Sequence, residues 1–439
     1  MNTAELKKKV CEAIDAHRET IIDIGEQIFR HPELGYKETK TAALVSKTLT
    51  ELGVPHRTGL AVTGVKGRLK GRRSDLSVAV MGELDAVISF DHPHADKTTG
   101  AAHCCGHNAQ VASMLGVGFG LVKSGVMDQL DGDVVLFAVP AEEYVELDYR
   151  RRLQADGVIK FFGGKQELIR LGEFDDIDMN MMCHIESDNP HKSFLVGSQA
   201  AGFIGKSIRY VGKEAHAGGA PHEGINALNA AIMGLMGIHA QRETFRDNDH
   251  IRVHPIITRG GDLVNIVPSD VRLETYVRGG TIEAIMDASS KVNRTLRAGA
   301  HAVGADVEIE EMPGYLPMVN DPNLEAIFVA NARELVGPEN VRTGGFTAVS
   351  GDNGDLMQLM PSIIPNHGGV TGHAHSRHLA IADFDAAYII PAKAMAMTVI
   401  DLLADGAKQG QAVKQNFQPR FSKESYLAFW EKLLTAKDQ

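Results

Sequence analysis

The sequence has little cysteine and few aromatic side chains, and these shortages exclude several classes of protein. Of its 439 residues, 4 are cysteine and 1 is tryptophan, and aromatic residues make up 6%. Four unevenly spaced cysteines are too few for the disulfide framework of a small secreted domain, so we expect a protein of the reducing cytoplasm. No apolar run near the N-terminus resembles a signal peptide, and no apolar stretch is judged long enough to cross a bilayer. We therefore expect no membrane partner.

Positive charge is also in short supply. The chain has 45 Lys and Arg against 56 Asp and Glu, a formal net charge of −11. This balance argues against nucleic acid or an anionic membrane surface as a partner. We find no internal repeat and no low-complexity segment. With 44% hydrophobic and 23% charged residues the composition is that of a globular protein, and its length exceeds one ordinary core, so two domains are expected.

Histidine, by contrast, is abundant and clustered. Of the 19 histidines, eight fall within residues 92–107 and 367–378. Three nearly continuous apolar runs, at 76–81, 134–139 and 179–185, are typical of strands buried on both faces. They lead directly into polar residues that can carry chemistry: Glu83 and Asp85, Glu142 and Glu143, His184 and Glu186. Because the carboxyl ends of parallel strands share one rim of an α/β sheet, we expect these side chains to meet there.

The middle of the chain has a different order of elements. The pattern predicts a strand at 204–211, a helix at 225–241, strands at 251–258 and 271–278, a helix at 282–298 and a strand at 306–310. This β-α-β-β-α-β order is typical of a ferredoxin-like unit. We therefore expect an α/β protein with a helix-covered, mainly parallel-sheet domain over 1–199 and 313–439 and an inserted ferredoxin-like domain over 200–312.

The run at 103–108, His-Cys-Cys-Gly-His-Asn, is the strongest chemical signal. A thiolate and an imidazole two residues apart in a glycine-containing loop can bind one metal ion. The segment 109–123 predicts a helix with Asn108 as its cap, and a helix N-terminus favours a thiolate. Cysteines packed beside a core histidine are the structural alternative, and the run alone favours neither interpretation.

The adjacent acids Glu142 and Glu143 form the second signal. Neighbouring side chains at a strand end cannot share one face, so we expect one to bind metal and the other to act as general base. For an isolated Glu-Glu pair, a solvated loop start is the alternative. Further ligands are offered by His184 and by the histidine-rich loop 373–378. His-x-His pairs also occur in metal-dependent TIM-barrel hydrolases, but this chain has no eight-fold strand-helix repeat.

Six motifs follow one another along nearly the whole chain: His31-Pro32-Glu33-Leu34-Gly35, Glu83-Leu84-Asp85-Ala86, His103-x-Cys105-Gly106-His107, Pro140-Ala141-Glu142-Glu143, Gly212-x-x-Ala215-His216-Ala217 and His375-Ser376. In combination they resemble the metallopeptidases of peptidase family M20. Within that family they are most similar to the amidohydrolase subfamily, which includes aminoacylases, auxin-conjugate hydrolases and aminobenzoyl-glutamate hydrolases. The resemblance implies a catalytic α/β domain with an inserted lid that often dimerises.

The resemblance also implies two divalent metal ions and five ligands: Cys105, His107, Glu143, His184 and His375. It makes Cys105 the bridge between the ions, Glu142 the general base, and Asp85 an acid that orients a metal-binding histidine. Zinc suits thiolate and imidazole ligands, while the carboxylate and family usage leave manganese, cobalt or nickel open. Cys104 replaces a small or apolar residue of the family, which leaves the choice between the two cysteines open.

Three residues of the expected lid have implied roles. His216 corresponds to a histidine that, in dimeric relatives, reaches the partner subunit's site and stabilises the oxyanion; capping of a helix that begins near Pro221 is the alternative. Asn265 and Arg278 correspond to substrate-binding positions, and an arginine can hold a carboxylate bidentately. For Arg278 the alternative is an ion pair with Glu274 of the same strand.

Departures from the family pattern fall mostly where substrate would bind. Met81 and Glu83 stand where many relatives carry an arginine and an aspartate. Asn108 replaces a frequent aspartate, and the segment 350–355 replaces the usual Ser-Glu-Asp-Phe. These differences leave the expected chemistry in place and the substrate open.

We therefore expect a cytoplasmic, metal-dependent amidohydrolase that forms a homodimer through its lid. Its expected substrate is an N-acyl amino acid or an aminobenzoyl-glutamate-like conjugate with a free carboxylate. A cytosolic dipeptidase of the same fold is the first alternative, which an acidic pocket wall from Glu83, Glu146 or Asp148 would favour by pairing with the substrate amine. A non-catalytic relative that binds metabolites is the second, and the retained Glu142 argues against it.

Overall fold

The chain forms two compact units in a computed structural model that describes residues 1–435. The first unit comprises Met1–Ser198, Val319–Gly345 and Asp355–Arg420. The second comprises Gln199–Met318, Phe346–Gly354 and the described residues from Phe421 to Thr435. Each unit has a hydrophobic core of its own.

A six-stranded, mainly parallel sheet lies at the centre of the first unit. In spatial order its strands are His56–Leu60, Gly64–Leu69, Asp133–Val139, Ser77–Glu83, Met179–Met181 and Ser362–Ile363. The first two pairings are antiparallel and the other three are parallel. All residues of Ser77–Glu83 and Asp133–Val139 are buried, as apolar runs indicate for strands covered on both faces. The predicted fold class is confirmed.

Helices surround this sheet. The α-helices of the first unit are Thr3–Ala16, Arg18–Arg30, Thr39–Glu51, His107–Ser124, Leu147–Ala155, Gly164–Leu171, Pro322–Val336, Ile390–Leu403 and Lys408–Asn416. The 3-10 helices of this unit are Val126–Gln129, Pro338–Asn340 and Asp405–Ala407, and a short helix, Asn353–Met357, begins in the second unit and ends in the first. The helix His107–Ser124 is buried along nearly its whole length, so the core fixes the position of the loop that precedes it.

One helical stretch is long and apolar enough to cross a membrane by length and composition. It runs Asp385–Leu403, a π-helical turn followed by an α-helix, and 89% of its most apolar window is buried. The prediction that no stretch has this length was therefore wrong. Its side chains belong to the hydrophobic core of the first unit, which is what a core helix of a globular protein shows.

A second sheet of the first unit carries His184. Its strands, in spatial order, are Val341–Thr343, Phe194–Val196, Asn366–His367 and His184–Ile185. The apolar run 179–185, predicted as one strand, is thus divided between two sheets, because Met179–Met181 pairs in the central sheet and His184–Ile185 pairs with Asn366–His367. The unit also has two short strand pairs, Val87–Ile88 with Ala101–Ala102 and Val370–Thr371 with Ala380–Ile381.

The second unit contains an antiparallel sheet with helices packed on it. Its strands are, in spatial order, Arg252–Val253 and Ile256–Arg259 at one edge, then Asp270–Gly279, Gly202–Val211 and Asp306–Pro313. Its α-helices are Ala227–Gln241, Ile282–Val303 and Lys423–Thr435, and its 3-10 helices are Pro221–Glu223, Arg242–Thr244 and Asp247–Asp249. Strand order and helix positions are those of the predicted ferredoxin-like βαββαβ unit.

Two segments lie in the second unit although the predicted boundaries assign 313–439 wholly to the first domain. Phe346–Thr347 pairs in parallel with Gln199–Ala200. The C-terminal helix packs against Asp306–Pro313, where Trp430 is only 1% exposed. An amphipathic pattern predicts that a helix packs but does not identify the surface that receives it, which explains this correction.

Candidate metal centre

The predicted ligand residues come together at the carboxyl ends of the central strands. The ligand atoms of Cys105, His107 and His184 lie within 4.8 Å of one another. Cys105 Sγ is 3.4 Å from His184 Nε2. The Nδ1 atom of His184 bonds the carbonyl oxygen of Ile185 at 2.9 Å. With Nδ1 as the donor, the lone pair of Nε2 faces the thiol.

A second group shares the same cysteine. The ligand atoms of Cys105, Glu143 and His375 also lie within 4.8 Å of one another. Glu143 Oε1 is 3.1 Å from His375 Nε2. Cys105 and Glu143 are buried, whereas the side chain of His375 is 55% exposed. The two groups together contain all five predicted ligands, with Cys105 common to both, an arrangement that can hold two ions on either side of one sulfur.

The loop that carries Cys105 requires a glycine. Gly106 has φ +85° and stands at the N-terminus of the helix His107–Ser124. A Cβ atom at this position would lie 2.7 Å from side-chain carbons of Ile185. Gly106 therefore has a left-handed backbone conformation and lies close to Ile185. Any residue with a Cβ atom would be strained at this position.

The two adjacent acids point to different atoms, as their position at a strand end predicts. Ala141, just before them, has φ +53°, and its amide donates to Glu38 Oε1 at 2.8 Å. Glu143 faces His375. Glu142 Oε2 lies 3.9 Å from His107 Nε2, and Glu142 groups with His107 rather than with His375.

Asp85 fixes the ring of His107. His107 Nδ1 bonds the Asp85 carbonyl oxygen at 2.8 Å and lies 3.4 Å from Asp85 Oδ1. The other carboxylate oxygen of Asp85 accepts a hydrogen bond from the Glu143 amide at 2.8 Å. Asp85 is fully buried. It therefore orients one residue of each ligand group, one by its imidazole and one by its backbone.

The loop that carries His375 is tied to the cysteine loop. The His375 amide donates to the Cys104 carbonyl oxygen at 2.6 Å, and the His375 backbone has φ +59°. Cys104 thus contributes its backbone here. Of the groups that the described residues form, those with a cysteine contain Cys105 and not Cys104.

A network around Glu83 was not predicted from the sequence. Glu83 Oε2 is 3.0 Å from His107 Nε2 and accepts a hydrogen bond from Gln110 Nε2 at 2.8 Å. Glu83 Oε1 accepts one from Lys165 Nζ at 2.6 Å. Burial alone raises the pKa of Glu83, but Lys165, His107 and His184 together lower it. The position of Glu83 at a strand end was a signal for this acid, whereas no local pattern marks Lys165.

The charge and hydrogen bonding of the site fit divalent metal ions. His107 Nε2 and Glu143 Oε1 are buried and have no hydrogen-bond partner, and such atoms are costly unless a cation satisfies them. Burial raises the pKa of the Cys105 thiol well above its usual value, so a thiolate at this place needs a metal ion beside it. Sulfur, nitrogen and oxygen donors in one cluster suit zinc and related ions.

Two predicted residues of the second unit are neighbours. His216 Nδ1 accepts hydrogen bonds from the amides of Gly218 at 3.2 Å and Gly219 at 2.9 Å. The Asn265 carbonyl oxygen accepts one from the Ala217 amide at 2.9 Å. The His216 ring is therefore held by its own turn and does not cap the helix Pro221–Glu223, so the capping alternative is wrong. With Nδ1 as acceptor, Nε2 carries the proton and is a donor.

Arg278, on the strand Asp270–Gly279, is held by uncharged groups. It donates to Ser350 Oγ at 2.8 Å and to the Ala348 carbonyl oxygen at 3.3 Å. Among the residues that the structure describes, no carboxylate pairs with Arg278, so the alternative of an ion pair with Glu274 is not found. Its charge remains available to an anionic ligand.

Similar proteins are found both by sequence and by fold. A model of the peptidase family M20/M25/M40 matches residues 79–397. The Xaa-Arg dipeptidase of Mus musculus is 26% identical over 96% of this chain and 94% of its own. The N-acyl-L-amino acid amidohydrolase of Geobacillus stearothermophilus is 25% identical over 72% of this chain and 81% of its own. A similar solved structure is that of the Bacillus subtilis YXEP protein, described as a dinuclear metal binding peptidase from the M20 family. The two structures superpose with a TM-score of 0.69 at 21% identity, and the match covers 89% of this chain and 99% of that chain.

Proposed function

The chain belongs to the peptidase family M20/M25/M40 and is a hydrolase of amide or peptide bonds, and from this premise we propose that it cleaves the amide bond of an N-acyl amino acid or an aminobenzoyl-glutamate-like conjugate. The observation that carries the proposal is the pair of ligand groups that share Cys105, with the further carboxylate of Glu142 beside them. Similarity to an N-acyl-L-amino acid amidohydrolase over 72% of the chain supports the substrate class.

The metal centre would be held by five side chains: Cys105, His107, Glu143, His184 and His375. Two divalent ions bound there would polarise the amide carbonyl and lower the pKa of the attacking water. Zinc, manganese, cobalt and nickel are the candidates, because the donors are one sulfur, three nitrogens and carboxylate oxygen. The likeness to a dinuclear metal binding peptidase supports divalent metal in general.

Glu142 is the proposed general base and acid. Its carboxylate lies beside the His107 group rather than the His375 group, which leaves Glu143 as the ligand of the pair. We propose that Glu142 accepts the proton of the attacking water and then donates it to the leaving nitrogen. Asp85 keeps His107 and Glu143 in position during both steps.

Three residues of the second unit complete the proposal. The orientation of the His216 ring, with Nε2 as donor, supports donation of a hydrogen bond to the tetrahedral oxyanion. Arg278 and Asn265 are the proposed binding groups for the free carboxylate and the carbonyl of the substrate. The guanidinium of Arg278 has only uncharged partners among the described residues, which suits it to a carboxylate.

A dipeptidase is the second candidate, favoured by the similarity to the Xaa-Arg dipeptidase over 96% of the chain. A free substrate amine would need an available carboxylate. Glu83 is paired with Lys165, and Glu146 is paired with Lys37 at 2.7 Å, so two of the three acids considered for the pocket wall already have a lysine partner. This pairing is the reason to rank the acylated substrate first. A relative that binds metabolites without turnover ranks last, because Glu142 is retained beside the ligand groups.

We also propose that the protein is a cytoplasmic homodimer that meets its partner through the second unit. The edge strand Ile256–Arg259 exposes Ile256 and Ile257, and the helix Ala227–Gln241 exposes Met233 and Met236. Exposed apolar side chains beside an unpaired strand edge are typical of a subunit interface. All four cysteines are free thiols, which suits a reducing compartment.

The experiment is a substrate screen on protein that has been stripped of metal and reloaded. N-acetyl amino acids, aminobenzoyl-glutamate and dipeptides, among them dipeptides with C-terminal arginine, are compared for the wild type and Glu142→Gln. Glu186→Gln is the matched control, because Glu186 follows a different strand, His184–Ile185, and pairs with Arg342. Metal-dependent cleavage of acylated substrates that only Glu142→Gln abolishes supports the proposal. Cleavage restricted to dipeptides selects the second candidate, and metal binding without any turnover would contradict both.

A further inference from the structure

Glu83 faces the metal-binding nitrogen of His107 at the distance that separates two ligands of one ion. Glu83 Oε2 and His107 Nε2 are 3.0 Å apart. Bonds of about 2.0–2.2 Å from an ion to nitrogen or oxygen, in tetrahedral or octahedral geometry, put neighbouring donor atoms about 3 Å apart. Glu143 and His375, which both belong to the second ligand group, show nearly the same separation of 3.1 Å.

The contact between these two atoms needs a positive charge. His107 Nδ1 bonds the Asp85 carbonyl oxygen, so in the neutral ring Nε2 presents a lone pair. His107 is 1% exposed, and its Nε2 has no hydrogen-bond partner. A lone pair facing a carboxylate oxygen inside the protein is repulsive unless a cation lies on or between the two atoms. A metal ion can supply that charge, and so can a proton on Nε2.

Glu83 is also held in place for this task. Lys165 Nζ is 2.6 Å from Glu83 Oε1. Gln110 binds Oε2 by its side-chain amide and accepts the Glu83 backbone amide at 3.0 Å. Lys165 is fully buried and Glu83 is 3% exposed. Because Lys165 occupies one carboxylate oxygen, the other oxygen is the one directed at His107.

We propose that Glu83 is a further metal ligand, which binds through Oε2 beside His107 Nε2. The proposal rests on the proposed two-metal function and extends its ligand set from five residues to six. Glu83, His107 and Glu142 form a third group, whose ligand atoms lie within 4.8 Å of one another. Glu142, the third member of that group, remains the proposed base.

The competing interpretation is that Glu83 and Lys165 form a buried ion pair that only supports the fold. The two interpretations differ in what removal of both charges does. Glu83→Gln alone would remove the carboxylate that pairs with the buried Lys165, which is destabilising for reasons unrelated to metal. The double variant Glu83→Gln/Lys165→Met removes both charges together and keeps similar side-chain volumes. Lys165→Met alone removes the anchor and keeps the ligand.

The test is a titration of metal-free protein with Zn²⁺ against a chelating dye and with Co²⁺ in a visible spectrometer. The control is Asp133→Asn, since Asp133 is another buried carboxylate of the first unit and pairs with Arg68 at 3.0 Å. We expect the double variant to bind one of two ions at least about tenfold more weakly than the wild type and to change the Co²⁺ spectrum. Asp133→Asn should keep the wild-type spectrum, and Lys165→Met, which keeps the ligand but loses its anchor, should change the spectrum less than the double variant does. Thermal unfolding of each metal-free variant shows that it is folded.

Each outcome decides the matter. A wild type that binds two ions, with a double variant of unchanged affinity and spectrum, overturns the role of Glu83 and leaves the proposed function standing. A wild type that binds no ion at all overturns both. Weaker binding in the double variant that Asp133→Asn reproduces equally would assign the effect to general destabilisation and also overturn the proposal.

Discussion

The substitution Asp85→Asn tests how the site is positioned. The carboxylate of Asp85 lies 3.4 Å from His107 Nδ1 and accepts the Glu143 amide at 2.8 Å, and no part of the residue is exposed. An asparagine keeps the size but loses the charge beside the imidazole. It can also present its amide nitrogen to the Glu143 amide, so that two donors face each other. One substitution therefore disturbs both ligand groups.

The loss expected from this substitution is tenfold to hundredfold in metal affinity, which is the usual cost of losing a partner that orients a ligand. It corresponds to about 1.4–2.7 kcal/mol. The assay is competition for Zn²⁺ against a chelating dye, with kcat/KM of the reloaded enzyme as a second readout. Asp131→Asn is the control, because Asp131 is also fully buried in the first unit but pairs with Arg72 at 2.7 Å. Affinity within twofold of the wild type for Asp85→Asn would refute the positioning role.

Three further predictions follow from other parts of the chain. Glu142→Gln should lower kcat by about 10²–10⁴-fold while both metal ions still bind; a parallel loss of metal would make Glu142 a ligand instead. Burial and the nearby Asp85 raise the pKa of Glu38 to about 7 from 4.5, so its contribution to stability is present below about pH 4.5 and is lost as the pH rises to about 7. In urea titrations across that window, the wild type should lose ~1–3 kcal/mol of unfolding free energy relative to Glu38→Gln. Parallel pH profiles of the two proteins would contradict this. Trp430→Ala should lower the free energy of unfolding of the second unit by about 3–5 kcal/mol. Phe90→Ala, at a side chain 63% exposed, should cost under about 0.5 kcal/mol in the same denaturation experiment. Equal losses for the two variants would show that the C-terminal helix contributes little to stability.

The central strands and the acids at their ends could be predicted from the sequence because a buried parallel sheet accounts for both the apolar runs and the polar residues that follow them. A strand buried on both faces has a continuous apolar run, and the rim where parallel strands end is where chemistry collects. Asp85 and Glu142 each follow such a run and lie in or beside the ligand groups, whereas His184 begins a strand of the second sheet. The β-α-β-β-α-β order of the second unit is equally local, since each element shows its own periodicity.

Residues that act through contacts distant in sequence could not be predicted in this way. Lys165 and Glu38 reach the site from a helix and from a helix start, 82 residues from Glu83 and 103 from Ala141 respectively. Neither sits in a pattern that distinguishes it from a surface residue. The C-terminal helix was predicted as a helix, but its place on the second unit depends on its packing against the strand Asp306–Pro313, which no local pattern describes.

One motif of the resemblance has a structural explanation. Glu33, in the motif that begins at His31, accepts hydrogen bonds from the amides of Lys40 and Thr41 at the start of the helix Thr39–Glu51. It therefore caps that helix. The cap fixes the preceding turn, which carries Glu38 to the amide of Ala141 beside the two acids. A motif of this kind marks support of the site and not contact with substrate.

The most direct test of the account is the metal content of two neighbouring cysteine variants. Cys105 belongs to both ligand groups, whereas the thiol of Cys104 belongs to neither. Wild type, Cys105→Ala and Cys104→Ala are loaded with Zn²⁺, freed of excess metal and measured by mass spectrometry of the elements. We predict two ions per chain for the wild type and for Cys104→Ala, and fewer than two for Cys105→Ala. Two ions retained by Cys105→Ala, or none bound by the wild type, would contradict a centre built around this sulfur.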